Sequence, residues 1–213
     1  MSHSIPRRPT VAAGRAALAQ VPKYSGDVRA QLAPSQTSRA DAAPGLLPLP
    51  YLAGYAPALQ RQVCQWFAEG RLASWLRERH PQAHGCGDDR ALFDYVEALR
   101  LEYLRNAGQV HRVLYDSRIH VVNNALGLHT RRAIAHGGRL SARHEIRIAA
   151  MFRQAPPAFL RMIVVHELAH LRELEHNRAF YQLCEHMEPD YRQLEFEVRV
   201  YLCWLEHTGQ ALW

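Results

Sequence analysis

Apolar positions set the first outline of the chain. Leu59, Val63, Trp66, Phe67, Leu72, Trp75 and Leu76 recur at helical spacing, so residues 56–80 read as helix. Pro57 fits its first turn, and Gly70 is a point where the segment can split. The Pro- and Gly-bearing stretch from His80 to Gly87 reads as a turn. Asp88–Asp89 opens a second helical stripe of Leu92, Tyr95, Val96, Leu99, Tyr103 and Leu104, which Asn106–Gly108 closes. After Gly108 the period shortens. Val110–Tyr115, Arg118–Val122, Thr130–Ala135 and His144–Ala150 read as short strands, with Gly137–Gly138 as a hairpin signal between the last two. A small antiparallel sheet is the expectation. Pro156–Pro157 then begins a helix predicted to run from about Pro157 to Leu174. A further helix covers Asn177–Met187, and Pro189 breaks it. Asp190 starts a last one through about His207, with Leu194, Val198, Tyr201, Leu202 and Leu205 inward and Gly209 as its stop. Helices, a small sheet and more helices make an α+β order.

Residues 1–50 show no sustained period and are rich in Ala, Pro, Ser, Gln and Arg. They are expected to be a disordered basic tail, closed by the Pro-rich stretch 44–50. Gly14–Arg15 interrupts the weak apolar segment after Arg7–Arg8, so no full export signal is read. Residues 51–213 are expected to form one domain, helical over 51–109 and sheet plus helices over 110–213. No apolar run approaches the roughly 18–20 residues that span a bilayer. Cys64, Cys86, Cys184 and Cys203 form no Cys-x-x-Cys pair, which points to free thiols and a cytoplasmic setting. His80, His84 and Cys86 fall in the turn, where Pro and Gly already account for the local structure.

Charge is uneven. The formal net charge is +6, of which residues 1–50 carry +4. Between Arg100 and Arg161 eleven arginines face three acids, whereas His166 to Glu206 holds nine acids and four arginines. A basic sheet region of this kind suits a nucleic-acid contact, and equally suits pairing with the acidic helical half.

The chemistry is concentrated in Val164-Val165-His166-Glu167-Leu168-Ala169-His170-Leu171. At about 100° per residue, His166 and His170 share one helix face. Two imidazoles so placed bind one zinc ion, and the adjacent Glu167 serves as general base for water. The apolar neighbours imply a buried helix, where unpartnered imidazoles are costly. A catalytic zinc takes three protein ligands, and His176 is the leading third. On an unbroken helix it would lie about 15 Å along the axis and about 280° round from His166. A break near Glu175–Asn177 is therefore required. Metzincins, with the same spacing, have a Gly midway, where this chain has Glu173. His186, Glu188, Glu195 and Glu197 are the rivals for the third place. Glu195 or Glu197 is also a candidate acceptor for the second ring nitrogen of a ligand histidine. Tyr181, Tyr191, His186 and Arg199 are candidates to stabilise an oxyanion.

This stretch, together with His176-Asn177-Arg178-Ala179-Phe180-Tyr181 and Pro189-Asp190-Tyr191, resembles the YgjP-like metallopeptidases, relatives of the SprT-like zinc proteases. The resemblance covers roughly residues 110–206. It implies a zincin-like α+β fold, His166, His170 and His176 as zinc ligands, Glu167 as catalytic base and a peptide or protein substrate. One departure stands out: Arg131–Gly138 replaces the Trp-Gly-Ser-Cys-like stretch often found before the strand at 144–150. The expected activity is zinc-dependent peptide hydrolysis. A metal-bound scaffold for nucleic acid or a partner, and a zinc hydrolase of a non-peptide substrate, are the alternatives.

Overall fold

The computed structural model describes residues 48–119, 127–136 and 139–213, with side chains omitted at 131–136 and 139–142. The expected tail up to residue 47, the end of the strand at 118–122 and the Gly137–Gly138 hairpin lie outside the described residues. Helices α1 (Pro57–Ala68), α2 (Leu72–Arg79) and α3 (Asp89–Tyr103) come first. Strands β1 (Val110–Asp116), β2 (Gly127–His136) and β3 (Arg139–Ala149) follow, and then helices α4 (Pro157–Ala169), α5 (Arg178–Met187) and α6 (Tyr191–Thr208). Gly70 splits the first helical stretch with a φ of 66°, the left-handed conformation that glycine adopts without strain. The fold is α+β and zincin-like.

The sheet differs from the expected antiparallel one. Its order is β1-β3-β2, with β2 antiparallel to β3 but β1 parallel to it. The strand periods carry no information on direction; partners 34 residues apart, such as Val110 and His144, meet through tertiary packing. Register is set by the alternation in β3. His144, Ile146 and Ile148 are buried on one face, while Glu145 and Arg147 stand on the other. There Arg147 bonds both Glu145 and Asp116, Arg118 bonds Asp116, and Arg112 lies 3.9 Å from Glu145. Several arginines of the basic region are thus paired with the few acids around them.

Helix α4 is the axis of the core. Phe159, Leu160, Met162, Ile163, Val164, Val165, Leu168 and Ala169 are all buried, so it is apolar on nearly every side. Each such large side chain contributes about 1.5–3 kcal/mol. Burial therefore holds α4 more strongly than its caps do, since Pro156 offers no side-chain cap. Leu52, Val63, Leu72, Leu76, Leu92 and Val96 from the N-terminal segments join the same cluster as α4 and α6. At the other end of the chain the Trp213 indole donates to the His80 carbonyl at 2.7 Å. Among the described residues no helix is long and apolar enough to cross a membrane.

Candidate metal centre

Helix α4 stops five residues earlier than its apolar pattern predicts, and that stop makes the site. Its last carbonyls are taken by turn bonds: Leu171 N–H donates to Leu168 O, and the N–H groups of Arg172 and Glu173 both donate to Ala169 O. His170 is the C-cap residue, and its Nδ1 is hydrogen-bonded to the Glu173 carbonyl at 3.0 Å. This closure does the work of a glycine. The chain then turns at 173–177, and Asn177 restarts it as a helix by accepting the Phe180 N–H at 2.9 Å. His176 sits just before that cap. The required break is thus present, but it begins at His170 rather than at Glu175.

The result is convergence. One donor atom from each of His166, His170 and His176 lies within 4.8 Å of the other two, and His166 Nε2 and His176 Nε2 are 3.1 Å apart. Bonds of about 2.0–2.1 Å in a tetrahedron place neighbouring nitrogens about 3.3 Å apart, so the donor set fits a shared ion. Phe180 packs against all three rings, with centroids 4.7–4.9 Å away. Burial and the charges of His170, His176 and Arg199 push the His166 pKa down to about 3. Burial also lowers those of His170 and His176. All three rings are therefore neutral at neutral pH, the state in which an imidazole nitrogen can ligate.

The second ring nitrogen of each α4 histidine is engaged. His166 Nδ1 is hydrogen-bonded to the Tyr191 hydroxyl at 2.7 Å, and His170 Nδ1 to the Glu173 carbonyl. With Nε2 used for a metal, each Nδ1–H donates, which fixes tautomer and orientation. Neither Glu195 nor Glu197 takes this place. Glu195 accepts from Arg199 at 2.9 Å, and Glu197 is enclosed by Arg79, His80 and Gln193. Tyr191 enters from the sequence as an oxyanion candidate and as part of the Pro189-Asp190-Tyr191 motif, and its distance of 25 residues gives no local signal of its partner. The rival ligands are elsewhere: His186 packs edge-on against Tyr103, and Glu188 binds Arg161. His84 is bonded to the Phe152 carbonyl and His80 to Glu197, so the turn at 80–87 is structural.

Glu167 lies beside the triad, 3% exposed. Burial raises its pKa to about 8, opposed only by a backbone hydrogen bond from His129. Strand β2 presses on it: a Cβ on Gly127 would stand 2.5 Å from Glu167 Oε1. That glycine is needed for close approach, a contact no spacing rule reveals. A carboxyl must be ionised to take a proton from water; the raised value belongs to the metal-free site, and a dication held by the three histidines would draw it down.

Comparison with known proteins agrees with this geometry. Residues 125–199 match the family model described as YgjP-like, metallopeptidase domain. A protein of Escherichia coli (strain K12) named UTP pyrophosphatase is 54% identical over 154 residues, covering 72% of this chain and 92% of that one. No solved structure matches. The matched region contains the three histidines and Glu167, and the relative's name is that of a hydrolase. The chain belongs to the YgjP-like metallopeptidase family.

Proposed function

We propose that this protein is a zinc-dependent hydrolase that cleaves a nucleoside triphosphate into the monophosphate and pyrophosphate. The observation that carries hydrolysis is the buried Glu167 beside three convergent, neutral imidazoles. The choice of substrate rests on the 54% identical relative, which carries a pyrophosphatase name over nearly its whole length. The arginine-rich sheet region suits a polyanionic substrate as well as it suits nucleic acid.

His166, His170 and His176 would hold the zinc, leaving the exposed His176 side open to substrate. Bound there, zinc supplies a Lewis acid that polarises the substrate and acidifies water. Glu167 takes the proton from the attacking water and passes it on to the departing group. Tyr191 and the Glu173 carbonyl keep the rings of His166 and His170 aimed inward. Gly127 lets β2 close over Glu167 and keep bulk water from it.

Peptide hydrolysis is the second reading, favoured by β2, an edge strand among the described residues, which lies against Glu167 where an extended peptide can add. Incubation of the zinc-loaded protein with UTP and, separately, with unstructured peptides decides between the two. Pyrophosphate release that stops on chelation and returns with zinc supports the first reading. Peptide cleavage with no pyrophosphate overturns it.

A further inference from the structure

The side of α6 that supports the three histidines carries cations as well. Tyr191, bonded to His166, is followed by Arg192, Glu195 and Arg199. A separation of seven residues, from Arg192 to Arg199, returns to nearly the same side of a helix about two turns on. Each arginine is tethered to one acid. Arg192 Nε donates to Glu185 of α5 at 2.8 Å, and Arg199 Nη2 donates to Glu195 at 2.9 Å. The Arg199 Nε is buried and has no partner among the described residues. A buried N–H without a partner is costly and rare in folded proteins, so pairing with Glu195 does not by itself account for Arg199.

Ring contacts lead from these cations to the triad. The Arg192 guanidinium lies over the Tyr181 ring, 3.6 Å from its centre. The Tyr181 ring is in turn 6.4 Å from that of His176, the exposed member of the triad, and 6.4 Å from that of Tyr191. Burial and the Glu195 charge raise the pKa values of Tyr55 and Tyr181, and the charges of Arg192 and Arg199 oppose the rise in both. Two cations are thus gathered on one side of the triad, next to its exposed histidine. Stacking on Tyr181 holds the Arg192 fork in place before any ligand arrives. The Arg192 side chain is 39% exposed and that of Glu185 43%, so water screens their pair and it holds weakly. A phosphate, with more charge and a matching pair of oxygens, can take the place of Glu185 on the guanidinium.

We propose that Arg192, with Arg199 two turns along α6, is the polyphosphate clamp of this site: it binds the β- and γ-phosphates of a nucleoside triphosphate whose α-phosphate lies at the three histidines. The inference rests on the nucleotide reading and names the residues that make the site selective. In the reaction the water oxygen bonds to the α-phosphorus, the bridging oxygen leaves with the bonding electron pair, and the water proton passes through Glu167. Both clamped phosphates therefore depart together as pyrophosphate. A substrate without terminal phosphates gives Arg192 nothing to hold.

In zinc-loaded protein, Arg192→Ala is expected to raise KM for UTP about 10- to 100-fold with kcat within about threefold, the pattern of lost binding rather than lost chemistry. Arg199→Lys, which keeps the charge and gives up the fork, raises KM about threefold. Glu185→Gln removes the competing carboxylate and lowers KM about threefold. Calorimetric titration of the metal-free protein with inorganic pyrophosphate supplies a readout apart from turnover. Arg192→Ala should weaken that binding about fivefold or more, and Glu185→Gln should tighten it. A merely structural Arg192 would leave both unchanged or move both variants in the same direction. A KM for UTP in Arg192→Ala within about twofold of wild type, or pyrophosphate affinities of Arg192→Ala and Glu185→Gln that do not move in opposite directions, overturns this proposal alone. An unchanged KM in Arg199→Lys removes Arg199 from the clamp. A wild type that releases no pyrophosphate from UTP overturns the nucleotide reading and this proposal with it.

Discussion

Two buried glutamates show how surroundings decide what a carboxyl is for. Glu167 on α4 and Glu197 on α6 are both withdrawn from water, at 3% and 0% exposure. Burial raises the pKa of each, but the partners differ. Glu197 is met by His80 at 2.6 Å, Arg79 at 2.7 Å and Gln193 at 2.9 Å, and these overcome burial and hold it below the ordinary carboxylate range. Glu167 has the His129 N–H against it, and burial wins, to about 8. One carboxylate is a fixed anion that ties α2 to α6. The other is a proton holder beside three convergent histidines. A charged, fully bonded Glu is of little use as a base, and an unpaired one is poor as a structural strut.

The strongest way to break this contrast is Glu167→Gln. It removes the titrating oxygen and keeps the shape. Turnover should fall about 1000-fold or more, while metal analysis shows zinc unchanged. Retained turnover would remove Glu167 from the mechanism. Glu197→Ala probes the other side. It leaves Arg79 and His80 without their buried partner, and should cost about 3–5 kcal/mol in urea unfolding. Turnover per folded molecule should be nearly untouched. An unchanged unfolding midpoint would show that the cluster holds nothing together.

The pH dependence of stability sharpens the contrast with a smaller effect. Folded Glu167 keeps its proton up to about pH 8, whereas an unfolded Glu loses it near 4.5. Its contribution to metal-free stability is thus fully present below pH 4.5 and lost as pH rises to about 8, by up to about 1.4 kcal/mol per pH unit. Glu197 has the opposite sign. Its contribution is present above the ordinary value of 4.5 and lost as pH falls through its lowered folded pKa. The difference in unfolding free energy between wild type and Glu167→Gln, measured without metal from pH 5 to 8, should therefore slope downward for the wild type. A flat difference would contradict the high pKa.

How much of this was legible before the coordinates follows from what kind of signal each part leaves. His166, Glu167 and His170 lie within one helical turn, and their proximity is written in their spacing. His176 could be proposed because helix geometry forbids it from joining an unbroken α4. The position of the stop leaves no such signal, since the apolar run continues to Leu174 while turn bonds to Leu168 and Ala169 end the helix at 169. The Tyr191 contact to His166 and the press of Gly127 on Glu167 are tertiary contacts across 25 and 40 residues. Nothing in local spacing encodes them. The parallel pairing of β1 with β3 is hidden for the same reason.

The short segment between His170 and His176 has a kinetic consequence. Five residues form a tether whose closure costs little chain entropy. A histidine that lets go of a bound ion stays at an effective concentration in the millimolar range or above, and recaptures it before the ion can diffuse away. Exposed His176 would be the arm that swings first, since it lies in the turn between helices while Nδ1 bonds hold His166 and His170 on α4. Were an ion held here, its exchange would pass through a state with two histidines attached, and the lifetime of that open arm, more than the strength of any single bond, would set how fast a chelator strips the site.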